Sequence, residues 1–211
     1  HGRLFRGDVD IATEKPAVRL VVDGHGLAGL GNSGPFSIHA FMDDPEHTII
    51  VYGTLDEESA NRETALLLQH DLRQGNHTIV MPVRKDTEVT DDDMKECHVV
   101  VIGRPATNTV SAHFHDAWPV RFGLQSFEIS RKVYAHAETS FIGAAENPLN
   151  PRYSMVLLAG LNSQGTFNGA SGLLDDAGDG AQAAVMMRGS GELTLITVTP
   201  VELVRDLTVL K

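Results

Sequence analysis

The chain has 211 residues, with 17 basic against 28 acidic side chains and a formal net charge of -11. An acidic chain of this kind is repelled by phosphate backbones and anionic lipid, which argues against nucleic acid and membrane surfaces as partners. A single cysteine, Cys97, excludes an internal disulfide and a cysteine-built metal knuckle, and no apolar run approaches the roughly 18 residues of a membrane span.

Residues 1–47 read as a β-rich lead-in, with "AVRLVVDG" as its best strand. The chain starts at His1 rather than methionine, so it is expected to be a processed product or an excised piece of something larger. Directly after the apolar run comes "VVDGHGLAGLG", whose Gly24, Gly26 and Gly29 have the spacing of a dinucleotide-binding loop. Such a loop works because its last glycine opens a helix whose N-terminal amides hold the pyrophosphate. Here Gly31, Gly34 and Pro35 follow, and no stable helix crosses that composition. Asp43 and Asp44 lie near the distance of a ribose contact, but without the helix the coincidence has little weight. The segment is expected to be a turn and loop, with no bound NAD or FAD.

From residue 48 the pattern alternates between strand and helix. "TIIVYGT" is a continuous apolar run, as a strand buried on both faces should read. A helix follows, with Ala60, Ala65, Leu68 and Leu72 near helical spacing, a Thr54/Glu57 capping box at its start and Gly75 as its stop. "HTIVMPV" reads as the next strand, Thr90 as the cap of a short helix over "DDDMKE", and "HVVVIG" as a third buried strand. "TNTVSAHFHDAW" reads as a helix, then "VRFGLQSFEI" and "KVYAHAETSFI" as an antiparallel pair. The loop "GAAENPLNP", the strand "SMVLLAG", a glycine-rich helical stretch, and the strands "AQAAVMM" and "LTLITV" complete the chain. The expected fold is α/β: a three-layer domain over 48–211 with a mostly parallel, flavodoxin- or Rossmann-like sheet, preceded by the lead-in.

Little in this pattern supports catalysis. The serine-hydrolase elbow needs Gly-x-Ser-x-Gly on a sharp strand-to-helix turn. "GNSGP", "GASGL" and "RGSGE" all misplace the second glycine, so Ser33, Ser171 and Ser190 read as loop residues. His113, His115 and Asp116 form "HFHD", but on a helix residues two apart diverge, which leaves surface histidines rather than a metal site. His1 could chelate copper through its amine and imidazole, although a cut end is the simpler reading. Cys97 reads as a small buried residue. No cofactor and no metal is expected. The candidate ligand site is the crevice at the carboxyl ends of the strands, lined by Thr54, Asn108, Asn147 and Arg152. These loops carry amides, hydroxyls and arginines but no histidine or carboxylate poised for proton transfer.

In order along the chain, "LVVDG", "GPFSIHAF", "IIVYGT", "NRETA", "VIGRPATN" and "ENPLNPR" followed by "VLLAG" form a series. The series resembles the region C-terminal to the catalytic domain in large bacterial secreted α/β-hydrolases of the prolyl-oligopeptidase and esterase type. The resemblance covers about residues 17–162. It matches Gly34, Pro35, Ala40, Phe41, Tyr52, Gly53, Thr54, Asn61, Gly103, Pro105, Asn108, Asn147, Pro148, Asn150, Pro151 and Arg152. Arg104 stands where that family often has a second glycine, which narrows the crevice. Residues after Ser163 have no counterpart in the series.

What the resemblance implies is a non-catalytic accessory or assembly domain of a secreted or periplasmic hydrolase, because the family's nucleophile lies upstream of this region. Its partners would be the catalytic α/β-hydrolase domain or other copies of itself. The alternatives are an independent binding or structural subunit that has reused the module, or a hydrolase in its own right.

Overall fold

The computed structural model describes residues 37–74, 79–174, 183–186 and 193–196, all within the unit Gly31–Thr199. The strand "AVRLVVDG", the glycine loop at 24–35, Gly75, His1, Ser33 and Ser190 lie outside the described residues. Of the segment read as a lead-in, residues Ala40–Asp43 and Pro45–His47 form two 3-10 turns.

The three most apolar runs form strands buried along their whole length: β1 (Thr48–Tyr52), β3 (His98–Ile102) and β8 (Ser154–Gly160). Residues without a polar face lose free energy at an edge, so these strands lie side by side inside the sheet. Around them lie β2 (Val83–Lys85), β7 (Ser140–Glu146), β9 (Ala183–Met186) and β10 (Leu193–Ile196). The order of the 7-stranded sheet is β10-β9-β7-β8-β3-β1-β2. β2, β1, β3 and β8 run parallel, whereas β7, β9 and β10 join by antiparallel pairing. The protein is therefore a mixed α/β structure with a mostly parallel sheet in its strand directions.

Alternate residues of the central strands face opposite sides. Ile50, Tyr52, Val100, Ile102, Val156 and Leu158 pack on helix α1 (Glu58–Gln74) through Ala65, Leu68 and Leu72, and on helix α4 (Ser163–Leu173) through Ala170 and Leu173. Ile38 and Phe41 join this cluster. Ile49, Val51, Val99, Val101, Met155 and Leu157 pack instead on Met94 of helix α2 (Asp91–Lys95) and Val110 of helix α3 (Thr109–His113). The same face meets Trp118 and a small antiparallel sheet of β4 (Arg121–Phe122), β5 (Phe127–Ile129) and β6 (Lys132–Tyr134). In that sheet the Phe127 and Tyr134 rings stack at 5.2 Å.

Several elements depart from the sequence expectation, each for a local reason. Of the strand expected at 77–83, the described residues 79–82 are not strand and β2 begins at Val83: Pro82 has no N–H for a ladder, and its carbonyl accepts from the Ile50 amide at 2.8 Å. The Thr54/Glu57 capping box does not form. Helix α1 starts at Glu58, Glu57 is left-handed at φ 56°, and Thr54 turns to another partner. Helix α3 is five residues long, so His115 and Asp116 lie beyond it. The chain then descends to bury Trp118, whose indole N–H donates to the Met155 carbonyl at 3.3 Å, and Pro119 disfavours helix at the preceding residue. "KVYAHAETSFI" divides between β6 and β7, in different sheets. The box at Thr90 does form, reciprocally with Asp93. Among the described residues no helix is long and apolar enough to cross a membrane.

Candidate functional site

The order β2-β1-β3 makes the chain reverse direction across β1, and open α/β sheets bind ligands outside the carboxyl ends of strands at such a reversal. Thr54 and Asn108 both lie there. Asp86, just past β2 and 4% exposed, organises the place. Its carboxylate accepts from the Thr54 hydroxyl at 2.7 Å and from the Thr109 amide at 2.6 Å, while its own amide donates to the Tyr52 carbonyl at 2.9 Å. A buried carboxylate needs such donors to offset desolvation. The result ties β1, β2 and the start of α3 together and commits the Thr54 proton.

Asn108 is fully buried and fully used. Its side-chain carbonyl caps α3 by accepting from the amides of Val110 at 2.8 Å and Ser111 at 3.2 Å. Its amide group donates to the Ile102 carbonyl at 3.0 Å and the Val51 carbonyl at 3.4 Å, bridging β3 and β1. Asn61 on α1 donates to the carbonyls of Gly53 and Asp56, both at 3.2 Å. The loop 103–108 lies directly on Gly53: a β-carbon there would overlap the Thr107 carbonyl oxygen, and the Leu55 amide donates to that same oxygen at 3.1 Å. Gly103 is required by its φ of 114° and by Thr107 Oγ1, which would stand 2.7 Å from a β-carbon. The reversal point is thus occupied by the protein's own chain. Over it, Arg104 makes a two-pronged ion pair with Glu57 at 2.9 and 3.1 Å, with side chains 15% and 20% exposed.

Asn147 and Arg152 stand at the other end of the sheet. "ENPLNPR" connects β7 to the antiparallel β8, and the register pairs Glu146 with Ser154 and Val99 with Met155. The loop therefore precedes β8 and lies beside the amino ends of β1 and β3. The four residues expected to share one crevice fall into two pairs on opposite edges. The sequence expectation set "ENPLNPR" among the carboxyl-end loops, whereas it precedes β8 and so stands at the amino end of that strand.

At this second edge Asn147 donates to the carbonyls of Met94 at 2.7 Å and Cys97 at 3.3 Å, and accepts from the Leu149 amide at 3.0 Å. Asn150 donates to the Lys95 carbonyl at 2.7 Å and accepts from the Arg152 amide at 3.1 Å. These asparagines pin the hairpin loop to the corner between α2 and β3. The exposed Arg152 lies over the Tyr153 ring at 5.7 Å. Beneath sits a pair that sequence reasoning missed, His98 and Ser154, 56 positions apart. His98 Nδ1 accepts from the Ser154 amide at 3.0 Å and lies 2.8 Å from its hydroxyl. The amide contact requires an unprotonated Nδ1, so the ring proton is on Nε2. Burial pushes the imidazole below its ordinary pKa, against the pull of Asp44. A hydroxyl beside an imidazole resembles an activated nucleophile, yet Ser154 is 0% exposed and its amide shares the same acceptor.

The remaining sequence candidates stay apart. Ser171 donates to the Asn168 carbonyl at 2.9 Å, one turn back in α4. His115 lies 3.4 Å from Asp116 at the surface, and His113 stacks edge-on with Phe114 at 4.5 Å. Cys97 is half-buried, and burial with the nearby Asp93 and Glu96 carboxylates pushes its thiol pKa up, away from the thiolate. Among the described residues no three His, Cys, Asp or Glu side chains gather as a metal site. No family model matches the chain, and no curated protein matches it either.

Proposed function

We propose that this protein is a non-catalytic accessory or assembly domain of a secreted α/β-hydrolase of the prolyl-oligopeptidase or esterase type, serving substrate access, binding or oligomerisation. The resemblance of the ordered segments from "LVVDG" to "ENPLNPR" supports the reading. One observation carries it furthest. The motif residues Asn61, Asn108, Asn147 and Asn150 all donate their side-chain N–H groups to the chain's own backbone carbonyls. Such residues specify a scaffold with fixed loops, which is what a module shared for binding or assembly has to keep. The strand order β2-β1-β3 also suits a flavodoxin-like, three-layer arrangement, with the small sheet of β4 to β6 standing on the face of α2 and α3. The second reading is an independent binding subunit of a larger assembly, favoured by Leu124 in the turn between β4 and β5 at 100% exposure and Val133 on β6 at 60%.

The reading frame upstream of His1 tests the proposal first: a Gly-x-Ser-x-Gly hydrolase domain is expected there. That domain, expressed separately, is then mixed with this chain, and binding and KM are followed. Binding with a changed KM supports the accessory role. A frame without a hydrolase, or a chain whose own serine is labelled by a fluorophosphonate, sinks it. Light scattering separates the second reading, since a self-assembling subunit elutes well above the monomer mass.

A further inference from the structure

The parallel ladder between β3 and β8 starts at Val99 and Met155, one residue too late to use the Ser154 amide. That N–H points to the buried side of the hairpin loop, where the His98 ring takes it at 3.0 Å. The imidazole adds one rung to the ladder by means of a side chain. Three segments meet at this rung: the corner between α2 and β3, the loop 147–153, and the 3-10 turns before β1. Thr48 Oγ1 donates to the Asp44 carbonyl at 2.8 Å and secures the turns, and the Tyr153 ring meets His98 edge-on at 5.1 Å.

We propose that His98 is a proton-operated clasp: as neutral imidazole it fastens the loop 147–153 to the start of β3, and on protonation it lets that loop go. An imidazolium carries hydrogen on both nitrogens, so Nδ1 can no longer accept. The imidazolium Nδ1–H can donate to Ser154 Oγ, 2.8 Å away, but the Ser154 amide loses its acceptor and faces another N–H inside a buried site, which costs the desolvation of that amide. Relief for the amide comes only if the loop lifts and water reaches it. The surrounding charges oppose one another. Asp44 and Asp43 from the 3-10 turns favour the imidazolium, whereas His47, itself 2.8 Å from Asp44, disfavours it. The loop side contributes the Tyr153 ring with Arg152 over its face, and the strand's own approach contributes Glu96 and Cys97. Burial outweighs the carboxylates, so the folded pKa lies below the ordinary value of about 6.5.

The sign follows from proton counts. Between the folded and open values the open form binds more protons, so clasp strength is complete above about 6.5 and falls as pH drops toward the folded value. Below the folded value it levels off. The device is regulatory and does not depend on the hydrolase assignment.

Amide exchange on the full chain tests it, with protection factors for Tyr153 and Ser154 compared with Val100 from about pH 7.5 to about pH 5. In the parent, the loop amides should lose protection about tenfold per pH unit below about 6.5 while Val100 keeps its own. In His98→Asn, whose side-chain oxygen can accept in place of Nδ1 and does not titrate, the loop should stay protected throughout. Equal loss in parent and variant, or no loss in the parent, overturns the proposal. If His98→Asn does not fold, the nitrogen shifts of the parent ring decide: hydrogen on Nε2 alone at about pH 7.5 is expected, and a proton on Nδ1 overturns it.

Discussion

A buried asparagine shows most directly how single residues hold this protein. Asn108 has an acceptor that caps α3 and a donor group that bridges β3 and β1. Aspartate is an equally good helix cap, so capping alone predicts that Asn108→Asp is harmless. The bridging bonds predict otherwise. A carboxylate cannot donate to the carbonyls of Ile102 and Val51, and at 0% exposure it would face them across a dry interior. Asn108→Asp is expected to cost about 2–4 kcal/mol in urea unfolding, close to Asn108→Ala. A loss under about 0.5 kcal/mol would mean that the amide bonds contribute nothing.

Among the elements, α2, like α3, depends on its ends, because a five-residue helix has almost no internal ladder. Thr90 accepts from the Asp93 amide at 3.2 Å, while the Asp93 carboxylate accepts from the Thr90 amide at 2.9 Å and its hydroxyl at 2.7 Å. The Thr90 amide, then the hydroxyl, and then Arg84 at 3.0 Å hold the Asp93 pKa below its ordinary range. A lowered carboxylate pKa contributes stability that is present above the ordinary value and is lost as pH falls through the lowered one. Thr90→Ala is expected to cost about 1 kcal/mol at neutral pH. It should also move the Asp93 titration upward, and the acid loss of stability with it. Carboxyl carbon shifts followed by NMR against pH check this; an unmoved Asp93 would show that the hydroxyl does not set its pKa. In contrast, α4 relies on close approach: a β-carbon at Gly169 would come within 2.7 Å of Ser140 Oγ.

At the scale of the sheet, two edges carry two separate sets of polar contacts. The carboxyl edge holds Thr54, Asp86, Asn108 and the Arg104–Glu57 pair, and the amino edge holds Asn147, Arg152, His98 and Ser154. β1 and β3 are five residues long, which separates the edges by roughly 15 Å. Residues so far apart without shared partners act independently. Thr54→Val should lose about 1–3 kcal/mol, because it strands one oxygen of the buried Asp86. Arg152→Met, at an exposed position, should change stability by less than about 0.5 kcal/mol. The double variant should equal the sum of the singles within about 0.5 kcal/mol by urea unfolding. A coupling above about 1 kcal/mol would place both residues in one site, as the sequence alone suggested.

The sequence by itself determined the buried strands β1, β3 and β8, the helix α1, and the capped turn at Thr90, because these depend on local spacing and composition. Apolar residues on both faces mean burial wherever the strand sits, and Thr90 closes its box with Asp93 three positions on, whereas the same spacing at Thr54 and Glu57 fails because Asp86, from another strand end, takes the Thr54 hydroxyl. Strand placement was a different matter. Nothing local in "SFIGAAE" marks it as one full strand of the main sheet, and the loop 147–153 that joins it to β8 stands at the amino end of β8, away from Thr54 and Asn108. Asp86 and His98 were equally illegible, since each matters through partners 23 to 56 positions away in sequence. Only the tertiary structure decided these pairings, because long-range hydrogen bonds are set by which strands become neighbours, and that choice belongs to the packing of the whole sheet.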